Sequence, residues 1–145
     1  MNERERVATA LLVLRASVFL VMLMWTIDKF VNAQHAAAVY ERFYAVGGLG
    51  PGSMRLIGAV ELIVLLGFAL GYQKRLTYGA VLLFHAISTL SSYRQYLNPF
   101  EPPNLLFFAA WPMLGACIVL YSLREMDTRA VVGRSKRLVD PSRRS

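Results

Sequence analysis

The sequence predicts an all-α integral membrane protein. Its expected form is a four-transmembrane-helix bundle, with a short amphipathic interfacial helix between helices one and two and the N and C termini cytoplasmic. Two observations carry this. Apolar residues make up 56% of the 145-residue chain and charged ones 17%, against roughly 45–50% and 25% in soluble domains. The apolar excess is gathered in four blocks, about 7–27, 54–72, 76–97 and 104–123, each near the ~20 residues that cross a ~30 Å hydrocarbon layer. A lone segment in lipid must satisfy its backbone internally, so each block reads as a helix.

The first block follows Arg4 and Arg6 as a signal peptide would. Its apolar run exceeds the ~7–15 residues of such a leader and no small-x-small cleavage site follows, so it reads as an uncleaved helix. Next comes DKFVNAQHAAAVYERFYAV, where Asn32 suits an N-cap and Ala36, Val39, Tyr40 and Phe43 recur at helical spacing. That pattern fits a helix lying in the membrane interface. Gly47–Ser53 (GGLGPGS) ends it. The GYQKR connection is so short that helices two and three must be antiparallel neighbours. In the third loop, YLNPFEPPN, Pro102 and Pro103 suit the start of helix four, and Pro112 should kink it. Tyr93, Tyr96, Phe100, Phe107, Phe108 and Trp111 read as an interfacial aromatic belt, with a quinone- or lipid-lined mouth as the sharper alternative. Small residues such as Gly58, Gly67, Gly71, Gly79 and Gly115 suit close helix packing.

Charge sets the expected orientation. Eleven Lys and Arg residues fall on the N-terminal tail, the second loop and the tail 124–145, against four (Lys29, Arg42, Arg55, Arg94) on the opposite side. By the positive-inside rule both termini are cytoplasmic, and the tail is a basic arm for anionic membrane lipids. The net charge of +7 is thereby assigned to topology and lipid, not to nucleic acid. Cys117 is the lone cysteine, which excludes an intrachain disulfide or CxxC pair. No metal-ligand spacing is present. His35 and His85 are the only histidines; one belongs near the surface and the other near mid-depth, which argues against a shared haem.

Three blocks each carry one ionisable residue inside them: Arg15, Glu61 and His85. A charge at bilayer depth costs at least ~2.5 kcal/mol, so such residues are usually functional. Counting ~1.5 Å per residue places all three in the middle third of the membrane. Arg15 facing Glu61 would keep the carboxylate ionised, and His85 could exchange protons near neutral pH. Ser88, Ser92 and Tyr96 extend a polar stripe from His85 at three- and four-residue spacing. The trio is thus the candidate polar centre, with Glu61, His85, Ser92 and Tyr96 as candidate contacts for a quinone head group. The alternative is a structural Arg15–Glu61 pair and a satisfied interior histidine.

Arg15, the apolar run after it, and Lys29-Phe30 resemble the opening helix of the DoxX family of small four-helix membrane proteins. Gly58-Ala-Val-Glu61 followed by Gly67 is similar to that family's second-helix signature. The resemblance covers helices one and two in motif and most of the chain in layout. Trp25–Asp28 stands where members often have a glycine, and Asp28 reads as an ion-pair partner of Lys29 or a surface carboxylate. The resemblance implies a link to membrane redox chemistry, with Arg15 and Glu61 as the positions carried over. The expected function is a small subunit or accessory of a quinone-linked, respiratory-type complex in a bacterial-type inner membrane, with other membrane subunits as partners. Two alternatives stand beside it: a purely structural or assembly subunit binding lipid and neighbouring helices, and a small proton-coupled transporter. Against transport, no helix is broken at matched positions in two halves.

Overall fold

A computed structural model describes residues 1–132 of the chain. Among these residues the secondary structure is entirely helical: α1 (Glu3–Val31), α2 (Ala33–Tyr44), α3 (Pro51–Ala69), α4 (Lys74–Ser91), α5 (Tyr93–Leu97), a 3₁₀ segment Asn104–Ala109, and α6 (Ala110–Ser122). Three stretches are long and apolar enough to cross a membrane: Glu3–Val31, Pro51–Ala69 and Asn104–Ser122. Only 22%, 22% and 11% of their most apolar windows are buried within the bundle. Leu20, Met24, Leu56, Ile63, Leu105 and Leu106 all point outward. In water that much contiguous apolar surface would aggregate, whereas a bilayer solvates it, so this is a membrane protein.

The long helices close a ring in which α1 packs on α3, α3 on α4, α4 on α6 and α6 on α1, and α2 lies across one end against α1, α3 and α4. Leu11, Val18, Leu65, Phe68, Tyr78, Val81, Cys117 and Leu120 form the shared core. α1 starts earlier and ends later than its apolar block, and Asn2 caps its start. The Asn2 side chain accepts from the Glu5 amide and the Glu5 carboxylate accepts from the Asn2 amide, both at 2.9 Å. Its buried stripe is Ala8, Leu11, Arg15, Val18, Thr26 and Lys29, so both inward cations ride one face. Asn32 does stand at the N-cap of α2, but its side chain makes no capping bond.

α4 spans 18 residues, about 27 Å. It turns Thr77, Tyr78, Val81, His85 and Thr89 inward. The helix expected to reach Leu97 breaks at Ser92, and α5 carries on from Tyr93. Pro112 does not kink a long helix. It sits in the first turn of α6, directly after the 3₁₀ segment, where a missing amide hydrogen is tolerated.

Two glycines mark close approaches. A Cβ at Gly58 would lie 2.9 Å from a Phe30 ring carbon and 3.1 Å from Lys29 Cβ, so the α1–α3 crossing requires glycine there. Gly71 adopts φ +61 in the α3–α4 turn, and a Cβ there would collide with the Val131 side chain. The segment after α6 is therefore not simply a solvated arm. Residues 124–132 fold back onto this end of the bundle, where the Val132 amide donates to the Leu70 carbonyl at 2.7 Å. The remaining basic residues, Arg134, Lys136, Arg137, Arg143 and Arg144, lie outside the described residues.

Candidate functional site

The structure separates Arg15, Glu61 and His85 into two places. Arg15 is buried, at 1% exposure. Its Nη1 donates to Asp127 Oδ2 at 2.9 Å and to the Tyr78 hydroxyl at 3.0 Å. Its Nη2 donates to the carbonyls of Arg129 (2.7 Å) and Ala130 (3.0 Å). Tyr78 in turn donates to Asp127 Oδ2 at 2.6 Å. Lys74 Nζ donates to the Arg124 and Asp127 carbonyls, tying α4 to the same segment. Arg15 therefore anchors the stretch after α6, and it is not the partner of Glu61. The physical reason is side-chain direction: helical side chains lean toward the N-terminus of their helix, so the guanidinium drops toward the end where Gly71 and Asp127 lie.

Glu61 pairs instead with Lys29, Nζ to Oε2 at 2.9 Å, with both side chains mostly buried. Lys29 stands fourteen residues beyond Arg15, about 21 Å along the axis. The same lean brings its ammonium back into the bundle, where it also donates to the Trp25 carbonyl at 3.2 Å. Thr26 donates to Glu61 Oε2 at 3.1 Å and Tyr40 to Oε1 at 3.3 Å. Gly58, one turn before Glu61, lets α1 approach closely enough for this pairing. Asp28, expected beside Lys29, binds His35 Nδ1 at 2.7 Å across the α1–α2 corner. The Tyr40 phenol is pushed well above its ordinary pKa, first by burial, then by the neighbouring Glu61 charge and Tyr44, and by the hydrogen bond to Glu61. It stays a donor at any physiological pH.

This ion pair forms part of the wall of a cavity of about 740 Å³ between α1, α2, α4 and α6. Trp25, Tyr40, Phe43, Tyr44, Phe84 and Phe107 supply most of its aromatic surface. Phe43 on α2 lies 5.7 Å, ring centre to ring centre, from Phe107 on the 3₁₀ segment. The polar contribution is Lys29, Glu61, Asp28, Ser17, His85, Ser88 and Ser92. His85 Nε2 sits 3.0 Å from the Ala110 carbonyl. A carbonyl can only accept, so Nε2 carries a hydrogen, and in the neutral ring Nδ1 is left as an acceptor.

Of the residues expected to contact a head group, Glu61, His85 and Ser92 line one cavity. Tyr96 does not: its ring packs against Phe108 and Trp111, at 5.3 and 5.5 Å between centroids. Of the aromatics read as a belt, Phe107 faces the cavity. The sequence reading missed the Lys29–Glu61 pairing, the roles of Thr26 and Tyr40, and Asp127 with Tyr78. The signal for Lys29 was its spacing of fourteen residues from Arg15, two heptads, which keeps both on nearly one helical face.

A chamber of this size, mostly apolar with a few convergent polar groups, has the proportions of a small-molecule site. The arrangement can hold an amphiphile by its head and exchange hydrogen bonds with it through Lys29, Tyr40 and His85. Among the described residues no cluster of His, Cys, Asp and Glu suits a metal ion. No protein-family model matches the chain, and no curated protein or solved structure matches it either.

Proposed function

We propose that this protein is a small subunit or accessory of a membrane redox complex, and that its cavity receives the head of a quinone. In this reading α1, α3, α4 and α6 all span a bacterial-type inner membrane and both termini are cytoplasmic. α2 lies in the outer interface, which puts the cavity in the outer half of the bilayer. The charge asymmetry of the loops supports the orientation, and the amphipathic pattern of α2 supports its interfacial position. The observation that carries the function is the Lys29–Glu61 pair held at the wall of a 740 Å³, largely aromatic chamber. An ion pair kept at that depth needs a reason beyond packing, and aromatic walls suit a flat conjugated ring. The motif resemblance to the DoxX family points the same way.

A purely structural role has its own support at the opposite end. Arg15, Tyr78 and Asp127 Oδ2 bind one another and hold α1, α4 and the segment after α6 together, and these residues line no part of the cavity. We assign that cluster to stability and the Lys29 cluster to ligand.

Gentle detergent purification, with identification of co-purifying chains and solvent-extracted quinones, tests the proposal. The expected result is a near-stoichiometric quinone together with membrane partner chains. Protein that runs alone and quinone-free, from membranes rich in quinone, would contradict it.

A further inference from the structure

The charged groups around the cavity limit what its occupant can be. Lys29, Glu61 and Asp28 are the charged side chains that line it among the described residues. The one cation among them, Lys29, is already bound to Glu61 at 2.9 Å and to the Trp25 carbonyl at 3.2 Å, which leaves one N–H, with the ammonium 5.7 Å from the Tyr40 ring centre. The second carboxylate, Asp28, is held by His35. Among the described residues no uncompensated cation therefore faces the chamber, and carboxylates outnumber ammonium groups two to one.

An anionic head such as a carboxylate, sulfonate or phosphate diester would lose its hydration and meet no free positive charge. An uncharged head bearing oxygen atoms meets the opposite situation. It can accept from the Lys29 ammonium, or donate to His85 Nδ1 when it carries a hydroxyl. We infer that the cavity selects amphiphiles with uncharged, oxygen-bearing heads over anionic lipids and fatty acids, and that Glu61 sets this selection by neutralising Lys29.

This rests on reading the chamber as a ligand site and adds its selectivity. It also accounts for a carboxylate and an ammonium standing side by side at bilayer depth. A lone Lys29 would capture the anionic phospholipids that surround the protein in large excess.

Decanol and decanesulfonate share a tail and differ in head charge, so they separate the two effects. Their binding is measured by calorimetry on the full chain in zwitterionic nanodiscs, against protein-free nanodiscs. A nearby unit charge in a partly dehydrated site changes binding by about tenfold or more. Wild type should therefore prefer decanol by about tenfold or more. Glu61→Gln should gain about tenfold for decanesulfonate, because Lys29 is then free. The double variant Lys29→Gln/Glu61→Gln should lose that gain.

Equal binding of the two amphiphiles by wild type would overturn the selectivity and leave the chamber a ligand site. No gain in Glu61→Gln that keeps its wild-type helix content would overturn Glu61 as its determinant. Binding of neither amphiphile by wild type would overturn the selectivity and the ligand reading together.

Discussion

Asp127→Ala should destabilise the folded bundle by about 3–5 kcal/mol, read as a fall in the midpoint of denaturant unfolding in detergent. Asp127 is fully buried, and its carboxylate is the counter-ion of Arg15, itself buried at 1%. Removing the carboxylate leaves a guanidinium in an apolar setting with two backbone carbonyls and a phenol for company. That is the circumstance in which breaking a pair costs far more than never having built it. The same loss loosens the segment that covers Gly71. Replacing the set by apolar shapes, Arg15→Met with Asp127→Leu and Tyr78→Phe, should recover most of the loss, because no charge is then stranded. A substitution at Asp127 without effect on stability would show that the segment after α6 does not stay docked.

The second large effect is expected at the cavity, and it should be asymmetric. Glu61→Ala removes the carboxylate partner of Lys29 among the described residues, leaving the ammonium with the Trp25 carbonyl and the Tyr40 ring. The loss should be about 2–3 kcal/mol, at or below the low end of the range for buried pairs, because the site adjoins an open chamber where water can reach. Lys29→Met should cost roughly 1 kcal/mol less, since Glu61 keeps two hydroxyl donors, from Thr26 and Tyr40. Comparing the two variants in one unfolding assay checks the order. A larger loss for Lys29→Met would mean that the hydroxyls do not support the carboxylate.

The membrane character was legible in the sequence because apolar residues in ~20-residue blocks are a direct imprint of bilayer thickness. The short interhelical turn and the amphipathic α2 were legible for the same kind of reason: each follows from local spacing. The site was legible only in part. Glu61, His85 and Ser92 announced themselves as polar positions on apolar helices, and all three line one chamber. The partner of Glu61 did not, because Lys29 sits near the end of α1, where a lysine ordinarily reaches for the interface. Counting residues along an apolar block also did not show where the Arg15 guanidinium reaches, since the side chain leans back toward the start of α1. Asp127 was hidden by its surroundings in sequence. An acidic residue among arginines after the last apolar block looks like part of a solvated tail, and only the fold brings it 112 positions back to Arg15.

The chamber beside Lys29 and Glu61 is proposed to bind a quinone. Trp25 lines that chamber, and the chain's other tryptophan, Trp111, does not. In a Trp111→Phe background Trp25 is the sole tryptophan, and its fluorescence can be followed in nanodiscs as a short-chain benzoquinone is added. The expected result is saturable quenching, which is lost when Ala116→Phe fills the chamber while the helix content is kept. Quenching that rises linearly with quinone, and is the same in the filled variant, would mean that Trp25 meets quinone only from the lipid, and would contradict the claim.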